Sequence, residues 1–498
     1  MKLAFKNLGA IKSGEIDMDK QFYLFVGYNN SCKTYLSKLL FTIFHDDTMQ
    51  GFPNEELVAK IGNIISENKI ELSNELVKNL LDGFAKHIES KFLKALNLSK
   101  DQASFRNFSL SFTFTEDEII NHSFALNSHS GVKGKPYSIF SLKKTKGTKE
   151  VVYEESSLSD LLSELNEEEK AILENSISEK RNPQNINNTL ILFLLRSLLR
   201  NEKEPIFFPA DRVFYLKHKR SIFSEQYQRD KEVKLQIQEL IEQNGNQINL
   251  KELFNLIKPS FTNAEDVLIS KIVKMENKFL DDKLVALPYF TKLYQELEKI
   301  MGGEVVLKKV NLPTGEKEVE YAFKFDINQK ETDELPLALS SSAVNQLSTI
   351  YLFLKYILNE KATFLFIDEP EENLHPQNQI LLLNLLLEFA NMNKNNRVLI
   401  ASHSPLLAEA LNNYLILSQL ENKEEVADKL GLLNLNLIPA NIGIYYFHDK
   451  VINEHKAGKY GTIFTSFKLA QDEIYQIGEE LSEVMFQQLK PVLQDVSN

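Results

Sequence analysis

The sequence predicts an α/β fold organised on a parallel sheet, and three stretches predict it. Phe22-Tyr23-Leu24-Phe25-Val26 runs into Gly27-Tyr28-Asn29-Asn30-Ser31-Cys32-Lys33-Thr34 and then into a helix with Leu36, Leu39, Leu40 and Ile43 at helical spacing. Phe364-Leu365-Phe366-Ile367 ends abruptly at Asp368-Glu369-Pro370, and Arg397-Val398-Leu399-Ile400-Ala401 ends at Ser402-His403-Ser404-Pro405. Short, continuous apolar runs stopped by polar residues are the pattern of strands buried on both faces, and open α/β sheets place their chemistry at such carboxyl ends.

Bulk properties narrow the class. At 498 residues and 43% hydrophobic content the chain can bury a large core divided into two or three lobes. A formal net charge of -12 argues against a surface devoted to nucleic acid, so any DNA contact is expected to be local. The single cysteine, Cys32, excludes an internal disulfide framework and leaves too few thiols for a Cys/His zinc site. Met1-Lys2-Leu3-Ala4-Phe5-Lys6 lacks the apolar core of a signal peptide, and the runs near Leu190–Leu199 and Leu347–Leu358 are interrupted by Arg196 and Lys355. The expectation is a cytoplasmic protein with no membrane partner.

Taken in order, Leu3–Leu8 and Gly14–Met18 read as two strands joined by a turn ahead of the buried strand at Phe22. The stretch Gly27–Thr34 then has the strand-loop-helix setting of a phosphate-binding loop, or P-loop. A loop wrapped on a helix N-terminus aims backbone N–H groups at an anion, with the positive end of the helix dipole behind them. Lys33 would reach the β- and γ-phosphates, and the Thr34 hydroxyl a Mg²⁺ ion. Cys32 stands where G-x-x-x-x-G-K-[ST] has its second glycine, so its Cβ crowds the loop if that residue must adopt a glycine conformation. A low-pKa redox thiol is the other reading of Cys32.

Asn54–Leu98 is expected to be helical scaffold. Phe105–Phe114 and Tyr137–Tyr153 alternate as antiparallel strands with one wet face, and Lys143, Lys144, Lys146 and Lys149 form a basic run open to two readings, a solvated hairpin face or a DNA contact. Leu158–Lys180 reads as an acidic helix with a stripe of Leu161, Leu162, Leu165, Ile172 and Leu173. Pro205–Arg212 reads as a short strand and polar turn in which Arg212 is either a phosphate or partner contact or a structural ion-pair residue. From Tyr215 to Met301, with the basic cluster Lys217, His218, Lys219 and Arg220 and the stripe Ile237, Leu240 and Ile241, a helical hairpin or lobe is expected. Val305–Val310 and Glu318–Phe325 form a hairpin around Pro313-Thr314-Gly315, and Ser340-Ser341-Ser342 opens a further helix. The domain reading is 1–210, 211–301 and 302–498.

Carboxylates at a strand end are often only solvated, and a histidine in a turn is often only satisfied there. Their company changes the balance. Gly27–Thr34 resembles a Walker A loop, Phe364–Glu369 a Walker B strand with its catalytic glutamate, Asn373-Leu374-His375-Pro376 a D-loop, and Ser402-His403-Ser404 a switch histidine. The set is similar to the ABC-type ATPases related to overcoming-lysogeny nucleases, RecF and SMC proteins. This resemblance implies an ABC-type P-loop ATPase head with a β-rich lobe and an inserted helical lobe. It further implies ATP and Mg²⁺ as cofactors, Thr34 and Asp368 on the metal, Lys33 on phosphate, Glu369 on the attacking water and His403 on the γ-phosphate. Asn29, Asn30, Ser31 and Cys32 would line the loop, Asn373 would touch nucleotide, and Ser340, Ser341 and Ser342 would act in trans on the nucleotide of a second copy. The chain departs from the family at Cys32 and in a signature segment without glycine, and a Q-loop glutamine is not placed.

The overcoming-lysogeny nucleases add a Toprim domain that needs an Asp-x-Asp on a strand end, and the 95 residues after His403 contain none. No nuclease is therefore expected in this chain. The resemblance points to stand-alone ATPase subunits of bacterial anti-phage systems of the PARIS or Septu type, which control a separate effector and answer to a phage trigger. A RecF- or SMC-like DNA-repair or clamp ATPase is the alternative.

Overall fold

The computed structural model describes residues 1–52, 68–96, 98, 103–121, 123–132, 135–156, 167–199, 205–212, 216, 264–311, 317–325, 334–358, 362–433, 435, 439–455, 472 and 475–483. Sixteen strands among these residues form three sheets. In chain order they are β1 (Lys2–Leu8), β2 (Ile11–Asp17), β3 (Phe22–Gly27), β4 (Lys69–Glu71), β5 (Ser109–Thr113), β6 (Phe124–Val132), β7 (Lys135–Lys144), β8 (Glu150–Glu155), β9 (Ile206–Phe208), β10 (Gly303–Asn311), β11 (Lys317–Phe325), β12 (Glu334–Pro336), β13 (Phe364–Asp368), β14 (Arg397–Ser402), β15 (Ile442–His448) and β16 (Val451–His455). The helices that matter for the argument are α1 (Lys33–Phe44), α2 (Asn74–Ala95), α3 (Pro183–Leu198), α4 (Ala264–Leu280), α5 (Thr291–Met301), α6 (Ser342–Leu352), α7 (Pro376–Met392) and α8 (Pro405–Leu417).

The main sheet has nine strands in the order β5-β1-β2-β16-β15-β3-β14-β13-β9. Its inner block, β15-β3-β14-β13-β9, is parallel throughout, while β1 pairs antiparallel with β2 and β5. Period-2 alternation within the continuous apolar runs explains how that block is buried on both faces. Tyr23 and Phe25, with Phe366, Leu399 and Phe207, face one apolar cluster shared with α1, α2 and α3. Phe22, Leu24 and Val26, with Leu365, Ile367, Val398 and Ile400, face a second cluster built from α4 to α8.

Register sets where the strands stop. Asp368 pairs with Ala401, Ser402 with Val26, and Phe208 with Ile367, so the four carboxyl ends after β3, β14, β13 and β9 emerge along one edge.

The β-rich segment is a separate four-stranded sheet, β4-β8-β7-β6. Residues 69–71, expected to be helical, are instead strand, because they pair with β8 while Ser73 caps α2 by accepting from the Leu76 N–H. The basic run on this sheet is partly neutralised: Lys149 pairs with Glu116 and Lys144 is turned inward toward the Ile120 carbonyl. Of the expected 211–301 lobe, α4 and α5 pack Leu268, Ile272, Met275, Leu293 and Leu297 into the second apolar cluster of the main sheet. The cluster Lys217–Arg220 and the stripe Ile237, Leu240 and Ile241 lie outside the described residues, as do Leu161, Leu162, Leu165 and the turn Pro313–Gly315.

Candidate functional site

The loop after β3 is shaped by three backbone features. At Gly27 a Cβ would meet the Phe447 carbonyl oxygen at 2.6 Å, so no larger residue fits where β3 passes β15. Asn30 and Cys32 take left-handed conformations, φ +60 and +68. Cys32 thus adopts the conformation that the motif's glycine would supply, and its Sγ accepts from the Ala10 N–H at 3.2 Å, tying the loop to the β1–β2 turn. Cys32 also precedes α1 without a side-chain cap, leaving the first N–H groups of α1 uncommitted to any capping side chain. Tyr28, Asn29 and Asn30 are exposed at the loop's rim.

Lys33 is buried at the base of this loop. Its ammonium donates to the carbonyls of Gly27 at 3.1 Å and Tyr28 at 3.0 Å, and lies 3.4 Å from Ser31 Oγ. Burial lowers its pKa to about 8, against the opposing pull of Asp368, Glu369 and Glu371. One residue on, Thr34 donates its hydroxyl to Asp368 Oδ2 at 2.8 Å, which joins the loop to the end of β13. Burial raises the Asp368 carboxyl to about 6, helped by the Glu369 charge and countered by the Thr34 hydrogen bond and by Lys38 and Lys33. A desolvated carboxylate beside a hydroxyl is a pair of hard oxygen donors of the kind Mg²⁺ takes together with phosphate oxygens and water, so these residues fit that ion.

Glu369 follows with φ +46, a left-handed backbone immediately before Pro370. That placement sends its Oε1 to within 3.1 Å of His403 Nε2. The other imidazole nitrogen, Nδ1, lies 3.2 Å from Lys33 Nζ and 3.0 Å from the Gly27 carbonyl. With Nε2–H donated to Glu369, a neutral ring offers its Nδ1 lone pair to the lysine; a protonated ring would donate to Gly27 instead. Lys33, Thr34, Asp368, Glu369 and His403 are therefore one contiguous cluster at a single sheet edge.

Glu371, which has no assigned role in the sequence, and Arg212, whose expected roles it does not fill, prove central. Glu371 Oε1 accepts from Ser402 Oγ at 2.6 Å, the His403 N–H at 2.9 Å and the Ser404 N–H at 3.1 Å, so one carboxylate holds the whole histidine loop. Its sequence signal was only a second acidic pair after Pro370. Arg212 is fully buried and meets neither phosphate space nor a partner surface: it donates to the backbone carbonyls of Gln346, Pro209 and Asp368. It is not bonded as an ion-pair residue either, since these acceptors are main-chain oxygens.

Ser340–Ser342 stand apart from this cluster. Ser340 donates to the Leu337 carbonyl at 2.7 Å, Ser341 caps α6 by accepting from the Val344 N–H, and Ser341 and Ser342 are exposed. Among the described residues no hydrogen bond joins these serines to Lys33, Thr34 or Asp368. Asn373 sits in an exposed left-handed turn, φ +61.

The model of the AAA ATPase domain family matches residues 1–408. No curated protein matches. Solved structures with similarity include an Smc head bound to the C-terminal winged-helix domain of ScpA, at 12% identity and TM-score 0.34 over 91% of this chain and 96% of that one. An Smc head with an extended coiled coil, bound to the C-terminal domain of ScpA from Pyrococcus furiosus, gives 14% identity and TM-score 0.32 over 95% and 98%. The SMC head domain from Thermotoga maritima gives 11% and 0.27 over 92% and 98%. The domain match spans both the Gly27–Thr34 loop and the Asp368–His403 edge, and the chain belongs to the AAA ATPase domain family as an ATP-hydrolysing enzyme of P-loop fold.

Proposed function

We propose that the chain is a Mg²⁺-dependent ATP-driven switch or scaffold subunit whose nucleotide state controls a separate effector. The observation that carries this reading is the convergence of Lys33, Thr34, Asp368, Glu369 and His403 on one edge, joined by contacts of 2.8 to 3.2 Å. Gly27, Asn29, Asn30, Ser31 and Cys32 wrap the phosphates, with Lys33 neutralising their charge. Thr34 and Asp368 would hold Mg²⁺, which would supply charge neutralisation at the phosphate oxygens. Glu369 orients the water and takes its proton, and His403, carried beside it, senses the terminal phosphate.

The exposed serines support a site completed by a second copy. Ser340–Ser342 at the start of α6 and Asn373 in its turn make no hydrogen bond to the chain's own Lys33, and an ATP-bound homo-oligomer would bring them to the partner's nucleotide. The resemblance to anti-phage ATPases of the PARIS or Septu type supports a nuclease as the effector and a phage product as the trigger.

Co-purification with products of adjacent genes, with and without ATP, tests the switch. Nucleotide-dependent retention or release of one such product supports it. ATP turnover stimulated by duplex DNA with a steep salt dependence, and no associated product, would replace it with a RecF- or SMC-like clamp.

A further inference from the structure

Glu369 occupies a backbone conformation that must be held. An L-residue at φ +46 is strained, and a following proline further narrows its choices. From one side the hold is the β-sheet edge, where the Glu369 N–H donates to the Ala401 carbonyl at 2.8 Å. From the other side it is Arg212. Nη1 donates to the Asp368 carbonyl at 3.1 Å and Nη2 lies 3.5 Å from the Glu369 carbonyl, so one guanidinium spans the two peptide groups that flank the strained residue. The planar fork suits two neighbouring carbonyls in a way an ammonium does not.

The same side chain reaches the helix that begins at the serines. Nε donates to the Gln346 carbonyl in α6 at 2.9 Å and Nη1 also to Pro209 at 3.1 Å, while Gln346 Nε2 donates to the Ala210 carbonyl at 2.8 Å and to Glu372 Oε2 at 2.9 Å. The end of β9, the start of α6 and the Asp368–Glu372 turn are thus fastened through Arg212 and Gln346. The guanidinium is fully buried, its pKa lowered to about 10 by desolvation, with the charges of Glu372, Glu371, Asp368 and Glu369 opposing that shift. A buried cation is costly to desolvate, and here its partners are the peptide groups of the turn itself.

We propose that Arg212 is the positioning residue of the hydrolytic step, pinning the left-handed Glu369 backbone and linking its aim to the seat of α6. This rests on Glu369 facing the attacking water, and the two claims fail separately. Turnover that survives Glu369→Gln sinks the role of Glu369; turnover that survives the Arg212 change while Glu369→Gln is inactive sinks the positioning role alone.

The experiment measures steady-state ATP hydrolysis, binding of a non-hydrolysable ATP analogue and thermal melting for wild type, Arg212→Lys, Gln346→Met and the double variant. Arg212→Lys is expected to lower kcat at least 30-fold with analogue affinity within threefold of wild type. Gln346→Met, which loosens the same turn without touching a buried charge, is expected to lower kcat several-fold, and the double variant to lose little more than Arg212→Lys, because both act through one turn. If Arg212→Lys does not fold, the same three measurements on Arg212→Gln, whose amide keeps donors for the turn but cannot span both carbonyls, take its place. Loss of analogue affinity in proportion to kcat, additive effects of the two changes, or an unchanged kcat would each overturn the proposal.

Discussion

Nucleotide affinity should fall as pH rises, because Lys33 titrates inside its own loop. Burial draws its pKa down from 10.5 to about 8 in the nucleotide-free protein. Phosphate oxygens favour the charged form, so the bound pKa lies above the free one, and between the two each pH unit costs tenfold in affinity. Between pH 7.5 and 9.5 a group with a pKa of about 8 passes from roughly three-quarters protonated to about one-thirtieth, so affinity falls roughly 25-fold, or about 2 kcal/mol. The sign is that of a base which binds in its protonated form: affinity is full below about pH 8 and lost above it. Titration calorimetry with a non-hydrolysable ATP analogue and Mg²⁺, at fixed ionic strength across that range, reads the effect. Cys32→Ser, run in parallel to remove the loop's thiol, should reproduce the profile. An affinity constant to within threefold from pH 7.5 to 9.5 would refute the buried, phosphate-facing lysine. Linkage also predicts that the nucleotide-free fold gains stability from pH 8 toward 10.5, where the unfolded chain holds more protons on this lysine than the folded one does.

Asp368→Asn should abolish the Mg²⁺ dependence and lower turnover at least 100-fold in a hydrolysis assay. Because burial disfavours the Asp368 charge, the same change should leave the melting temperature of the nucleotide-free protein equal or higher, and a lowered melting temperature would contradict that account. Cys32→Gly removes a left-handed strain of about 1–2 kcal/mol but restores roughly 0.5–1 kcal/mol of unfolded-chain freedom and loses the Ala10 contact. Stability should therefore move by no more than about 1 kcal/mol in a denaturant titration, with turnover equal or faster; a loss above about 3 kcal/mol would show that Sγ is indispensable.

The edge of the sheet was readable from the sequence because each strand of the parallel block is a short apolar run with a polar stop. That Phe22–Gly27, Arg397–Ser402 and Phe364–Asp368 are neighbours, with β14 between the other two, is not in the runs themselves. Long-range positioning was invisible for a physical reason. Arg212 bonds to main-chain oxygens 134 and 156 residues away, and backbone acceptors leave no mark on residue type. Glu371 had a visible carboxylate but no visible partner, since two of its three donors are backbone N–H groups.

The most direct test of the site pairs Glu369→Gln with Lys33→Ala. Radiolabelled ATP is followed for both binding and phosphate release in the purified wild type and the two variants. Glu369→Gln should bind ATP as tightly as wild type and release phosphate at least 100-fold more slowly, while Lys33→Ala should bind no measurable ATP. Undiminished phosphate release by Glu369→Gln, or equal ATP affinity in Lys33→Ala and wild type, would contradict an ATP site built from these residues.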